Sequence, residues 1–295
     1  MLTQKAVEET FSRKGIRQHV INDIDTESVV FLSCVKCVDQ LLNGAYYKSK
    51  NARYQFLKDS ELTTFDIVTE LFIAILPVEE ITPIQSVATQ LGNRLGFSNL
   101  LDGVKTASEI IAVCERTRLY TIYHSSDETN DTGTLALEPR YQANQETIDF
   151  IKKTMFLPPM LCKPKKWTNN SNGGHLKGSG SVILGALNHH DLEQNLESIN
   201  IIQDIPWELN VKMLEFTEES KKPLDTEKKI KQFEAFRLQS IDVYKHLLRT
   251  GNKFYFTWKK DKRGRMYCLG YHVNLQSTQY KKAILQFHHK EVLEV

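Results

Sequence analysis

Long apolar runs are missing from this 295-residue sequence. The longest, Leu71-Phe72-Ile73-Ala74-Ile75-Leu76, is six residues, where a membrane-spanning helix needs roughly 20. No apolar stretch follows Met1-Leu2-Thr3-Gln4-Lys5, so no secretory signal peptide is expected and the chain reads as cytosolic. An excess of one charge is missing too. The 38 Lys and Arg residues against 36 Asp and Glu leave a net charge of +2. Any electrostatic function must then come from where charge is placed, not from its total. Metal-ligand spacing is also absent. Cys34 and Cys37 form a C-x-x-C pair, but no second C-x-x-C and no H-x-x-x-H accompanies it, as a zinc site would require. The cysteines number five, an odd count, with Cys114, Cys162 and Cys268 the others. Cys34 and Cys37 are read as buried thiols on one element. His189-His190 and His288-His289 are adjacent pairs, whose side chains point apart on a helix or strand.

What is present suits a soluble globular protein of one large or two ordinary domains, with 41% apolar and 25% charged residues. The first 60 residues look helical. Apolar spacing predicts helices over residues 30–42, 65–76, 83–95 and 104–117, with Asn43-Gly44, Pro77 and Gly96 as stops for the first three. Residues 119–123 and 134–137 read as two strands around the polar tip 125–133, a hairpin over 119–137. A helix is expected over 145–155. Residues 157–181, LPPMLCKPKKWTNNSNGGHLKGSGS, exclude regular structure. At this length the segment is either a linker or functional. Helices are expected again over 190–204, with Leu192, Leu196, Ile199 and Ile202 on one face, and over 207–216.

A long helix is expected over 226–249, with Ile230, Phe233, Ile241, Tyr244 and Leu248 inward. Its other face carries Lys228, Lys229, Lys231, Arg237, Lys245 and Arg249. That face is either simply solvated or a phosphate contact.

The placed charge is densest in Lys259-Lys260-Asp261-Lys262-Arg263-Gly264-Arg265-Met266-Tyr267, between strand-like segments 254–258 and 266–273. Glycine lets a backbone approach closely. Arginines present planar donor forks suited to phosphate. Tyr267 and Trp258 offer flat faces beside them. Cations interleaved with aromatics at a turn are what a nucleic-acid backbone site requires.

Asp261-x-Arg263-Gly264-Arg265-x-Tyr267, followed by Asn274-x-Gln276 and Lys281, resembles the D-x-x-G-R block of the single-subunit, phage-type RNA polymerases. Pro164-Lys165-Lys166-Trp167-Thr168 with Gly173-Gly174 is similar to that family's P-x-P-W-T…G-G segment, with Lys166 in place of the second proline. Residues 199–210, INIIQDIPWELN, resemble its I-N-x-x-Q-x-x-x-W-x-I-N helix pair. Ile84-Gln85-Ser86-Val87-Ala88 with Gly92 fits its amino-terminal domain. The matches run in family order over roughly residues 65–287.

The resemblance implies a mainly α fold with a minor β component (α+β). It would comprise a helical amino-terminal extension (1–60), a polymerase-like amino-terminal domain with the hairpin (61–217), a reduced thumb helix (218–252) and the first strands of a palm (253–295). Lys259, Lys260, Lys262, Arg263, Arg265, Tyr267, Gln276, Lys166 and Trp167 would face nucleic acid, and Asp261 would brace the turn. No aspartate follows Asp261, and Glu291 and Glu294 are the only later acids. Two-metal nucleotidyl transfer needs paired carboxylates. The resemblance therefore implies the small subunit of a two-chain DNA-directed RNA polymerase of bacteriophage type, with no catalytic residue of its own. A large partner subunit would hold Mg²⁺, and template DNA and nascent RNA would be shared between them. It would act in the cytoplasm, that of the host if viral. The hairpin tip carries Asp127, Glu128 and Asp131 and no apolar wedge. Unaided duplex opening is expected to be weak, so a single-stranded-DNA-binding recruiting factor is expected. Residues 279–287 are a candidate partner contact or an ordinary surface helix. The alternative reading of the whole chain is a non-catalytic nucleic-acid-binding accessory of transcription.

Overall fold

The computed structural model describes residues 3–46, 52–125, 134–177, 180–185 and 194–291. It is mainly α with a minor β component, as expected. The chain divides into two compact units, one formed by residues 12–154 and the other by Met1–Phe11 with Met155–Val295. This division differs from boundaries at 60, 217 and 252. Residues 12–59 share one apolar core with residues 61–154, so they are no separate extension.

The 12–154 unit is helical. Its helices are α2 (Arg13–Asp23), α3 (Val29–Leu42), α4 (Ala52–Asp59), α5 (Thr64–Ile75), α6 (Ile84–Arg94), α7 (Leu100–Cys114) and α8 (Gln145–Thr154); α1 (Gln4–Thr10) belongs to the other unit. Side-chain caps fix several starts. Ser12 and Ser28 accept from the amides three residues on, and Thr63 and Asp66 form a reciprocal capping box. Every residue from Ile67 to Ile75 is buried, so α5 is the central helix, packed on by α2, α3 and α6. Buried Glu70 on α5 is held by Arg17 and Arg94. At the α6–α7 crossing a Cβ on Gly92 would lie 2.7 Å from the backbone of Gly103, so only glycine allows that approach. The CxxC thiols are both buried on α3, as expected; Cys34 Sγ lies 3.1 Å from Thr117 Oγ1.

Strand β1 (Thr82–Pro83) pairs with β3 (Thr134–Pro139), which pairs with β2 (Tyr120–Ser125) in an antiparallel sheet of register Ile122↔Leu137. This is the expected hairpin. Its tip, including Asp127, Glu128 and Asp131, lies outside the described residues.

The other unit gathers short elements around a second core containing Trp167, Ile183, Leu247, Phe254, Phe256 and Trp258. Helix α1 (Gln4–Thr10) is bound into it by side chains: Gln4 accepts from the Leu161 amide, and Glu8 accepts from the Leu176 and Lys177 amides at 2.9 and 2.7 Å. Helix α9 covers only Glu197–Gln203. Residues 194–196 are not helical and 186–193 lie outside the described residues. Residues 207–216 are not the expected helix. Trp207–Leu209 is strand β4, followed by a 3₁₀ turn over Val211–Glu215. The overriding interaction is non-local: β4 pairs antiparallel with β7 (Leu285–Phe287), and Trp207 exchanges backbone hydrogen bonds with Phe254. Residues 279–287 therefore divide into α11 (Gln279–Ala283) and β7.

Helix α10 (Glu227–Arg249) starts one residue after the expected position, with Thr226 as its cap. Its inward stripe is Ser240, Tyr244 and Leu247, while the expected core residues Ile230, Ile241 and Leu248 are exposed. Its fully buried residues lie in the carboxy-terminal half, and Phe236 packs on His272 and Tyr271 ahead of them. Among the described residues no helix is long and apolar enough to cross a membrane.

Candidate nucleic-acid interface

The basic stretch is the tip of an antiparallel hairpin. Strand β5 (Thr257–Lys260) pairs with β6 (Met266–Leu269) in the register Trp258↔Cys268, Lys259↔Tyr267 and Lys260↔Met266. Alternation sends successive side chains to opposite faces. Trp258, Cys268 and Lys260 go inward, and Lys259 and Tyr267 share the outer face.

Beyond the pairing, the chain turns through 261–265. The Asp261 amide donates to the Arg265 carbonyl and Gly264 to the Asp261 carbonyl, both at 2.9 Å. Gly264 adopts φ +84°, a left-handed conformation that glycine tolerates best. The Asp261 carboxylate organises the rest. Oδ1 accepts from the amides of Arg263 (2.9 Å) and Arg265 (3.0 Å), and Oδ2 from Arg265 Nε (2.7 Å). Tyr267 OH reaches the same oxygen at 3.4 Å. Partial desolvation works to raise this carboxyl's pKa. The Arg265 side chain, the two amides and the Arg265 charge outweigh it and hold the pKa at about 2. Asp261 is thus a brace, the role the resemblance implied.

The turn presents an unequal set of cations. Arg265 is spent partly on Asp261, and its guanidinium lies 5.8 Å from the Tyr267 ring centroid. Arg263 lies 3.7 Å from the same carboxylate but keeps 75% of its side chain exposed, and Lys262 is exposed. Lys259 is half-buried, and burial lowers its pKa; a Cβ on Gly180 would lie 3.5 Å from its ammonium.

Lys260 corrects the expectation that every cation here faces outward. It is buried, and its ammonium donates to the Asn195 carbonyl and to Ser198 Oγ (3.3 Å). Its strand position is the cause: one residue along from Lys259, it falls on the core face. Residues 182–184 flank it, with Lys260 N donating to the Val182 carbonyl at 2.8 Å.

Gln276 is exposed as a residue, but both ends of its amide are used. Oε1 accepts from Cys268 N (2.8 Å) and Nε2 donates to the Met266 carbonyl (3.0 Å). With Asn274, which donates to the Gly270 carbonyl at 2.6 Å, it satisfies the β6 edge as a further strand would.

Trp167 is likewise an inward residue, only 4% exposed. Gly173 and Gly174 make room for its ring, since a Cβ at Gly173 would lie 2.4 Å from it. Lys165 and Gly174 exchange two backbone hydrogen bonds of 2.8 Å, closing the loop. Asn200 on α9 then clamps the backbone of Trp167, accepting from its amide (2.8 Å) and donating to its carbonyl (3.0 Å). Gln203, one turn on, donates to the Lys165 carbonyl at 3.1 Å. Two separate sequence motifs therefore form one structural joint, which the sequence reading missed; the i, i+3 spacing of Asn200 and Gln203 is the signal that could have shown it. Lys166 stays outside, 69% exposed and 4.0 Å from Asp204.

The turn does not fit a metal ion. Its one carboxylate is engaged by donors and ringed by cations, and two-metal chemistry needs paired acids. Among the described residues no group of three or more His, Cys, Asp or Glu could hold a metal ion. What the turn can do is bind a polyanion through outward guanidinium and ammonium groups on a rigid bend.

The sequence matches no protein-family profile. It is similar to a protein of Podospora anserina described as "Probable DNA-directed RNA polymerase", with 26% identity over 163 residues, 44% of this chain and 17% of that protein. The chain thus spans less than a fifth of the length of the curated relative it matches. The likeness is to an RNA polymerase, over part of the chain.

Proposed function

We propose that this chain is the small subunit of a two-chain, phage-type DNA-directed RNA polymerase, acting in the cytoplasm. It would bind template DNA and the RNA–DNA hybrid and complete the palm of a large partner subunit. The observation that carries this reading is the Asp261-braced turn, which exposes Arg263 and Lys262 to solvent beside Arg265, whose guanidinium lies over the Tyr267 ring. The partial likeness to an RNA polymerase supports the choice of nucleic acid as the polyanion. The turn positions phosphates; it moves no proton and performs no bond chemistry. Mg²⁺ supplies the charge stabilisation of nucleotidyl transfer, and because the turn does not fit it, the metal-binding carboxylates are proposed to lie in the partner. Opening of duplex DNA would require a recruiting factor that holds single strands.

The test is co-expression with candidate partner chains. A stable complex that makes RNA with Mg²⁺ on a single-stranded template, while this chain alone makes none, supports the reading. Arg263→Ala should slow elongation by about three- to tenfold without loosening the complex. RNA synthesis by the isolated chain would overturn it. A chain that binds DNA but never joins an active complex would favour the non-catalytic accessory instead.

A further inference from the structure

A second concentration of guanidinium groups lies in the 12–154 unit, at the base of the β2–β3 hairpin. A cleft of about 450 Å³ there is lined by Glu115, Arg116, Arg118, Tyr120, Thr121 and Arg140. Three arginines against Glu115 in the lining and Glu138, which pairs with Arg140, leave a surplus of one positive charge.

Two of the three are held in place from behind. Arg116 donates to Cys37 Sγ (3.3 Å), Gln40 Oε1 (3.2 Å) and Tyr46 OH, with its guanidinium 5.5 Å from the Tyr46 ring centroid. Arg140 donates to Thr121 Oγ1 (3.0 Å) and pairs with Glu138 (2.9 Å). Both remain exposed as residues.

Arg118 differs. It is exposed and adopts φ +64° at the end of the 3₁₀ turn Glu115–Thr117. That left-handed conformation is strained for a residue with a Cβ, and glycine would occupy it more cheaply. A strained position occupied by arginine, between two tethered arginines, indicates a use for the side chain. Guanidiniums lining one cleft are relieved of like-charge repulsion when an anion joins them, and held donors lose little freedom when it does.

We infer that Arg116, Arg118 and Arg140 form a second nucleic-acid contact that takes a phosphodiester of the strand backbone. This extends the nucleic-acid reading of the turn to the other unit and rests on that reading. Phosphate is recognised at the hairpin base, so the contact does not depend on the tip.

The test is fluorescence anisotropy of the full chain with three labelled probes of one sequence: single-stranded DNA, duplex DNA and RNA. Salt is varied from about 50 to 200 mM, the range over which phosphate contacts weaken steeply. Arg118→Gly should weaken binding about three- to tenfold at the low end and reduce the salt slope by about one. Its melting temperature should hold or rise, because glycine relieves the left-handed strain. Arg118→Glu should weaken binding further. The probe that suffers most identifies the strand held. Unchanged affinity and slope in both variants, while Arg263→Ala still weakens binding, would overturn this inference and leave the proposed function standing. A fall in melting temperature for Arg118→Gly would make Arg118 structural and also overturn it. No binding of any probe by the parent chain would remove both readings.

Discussion

The loop around Trp167 and the turn around Gly264 look alike as strings of residues and behave oppositely. Each combines lysines or arginines, a large aromatic and glycine. In the loop the aromatic is swallowed: Trp167 is buried, two glycines clear its space, and Asn200 and Gln203 bind the backbone beside it. In the turn the glycine bends the chain and the cations are thrown outward from one ionised brace, Asp261. The same composition therefore yields a core plug or an exposed binding edge. The deciding factor is whether the local hydrogen-bond partners come from another element or from the turn itself.

The contrast can be broken most forcefully at the plug. Trp167→Ala should cost ~3–5 kcal/mol of stability in urea unfolding, as large aromatic truncations in cores do. A cost near zero would mean the tryptophan is not a core residue. Asn200→Ala should cost about 1–3 kcal/mol, because it leaves the buried Trp167 amide and carbonyl without partners; the same unfolding experiment checks it. At the turn the balance reverses. Arg263→Ala should change stability by less than about 0.5 kcal/mol, while the salt slope of DNA binding falls by about one.

Acid sharpens the contrast further. Asp261 has a folded pKa of about 2, below its ordinary value of 3.8. The brace is therefore fully present above pH 4 and is lost as the pH falls through 2. Amide resonances of Arg263, Gly264 and Arg265 should shift across that window, and those of Trp167, held by a neutral amide, should not. Concerted movement of both sets would show that the two regions are not independent.

Much of this could be read from residues alone, and the failures share a cause. Caps and stops are local, so α5, α6 and α10 and the β2–β3 hairpin were anticipated close to their observed ends. Trp207–Leu209 was not, because its strand character comes from Leu285–Phe287, some 80 residues away. Of the residues expected inward on α10, Tyr244 is buried and Phe233 half-buried, but Ile230, Ile241 and Leu248 are exposed. The buried stripe follows Ser240, Tyr244 and Leu247, and periodicity alone does not say which flank of the apolar face meets a neighbour. Lys260 was grouped with its neighbours by charge, although strand alternation separates it from Lys259. The brace at Asp261 came from the resemblance, and every bond it makes lies within six residues.

The attachment of α1 carries a consequence for biosynthesis. The chain enters one unit, leaves it at Ser12, and returns only after Thr154. The Leu176 and Lys177 amides that Glu8 binds have not yet been translated when this helix emerges from the ribosome. At ~5–20 residues per second the wait is on the order of ten seconds. The intervening helical unit has time to fold first, and α1 waits for its partners until that unit has been made.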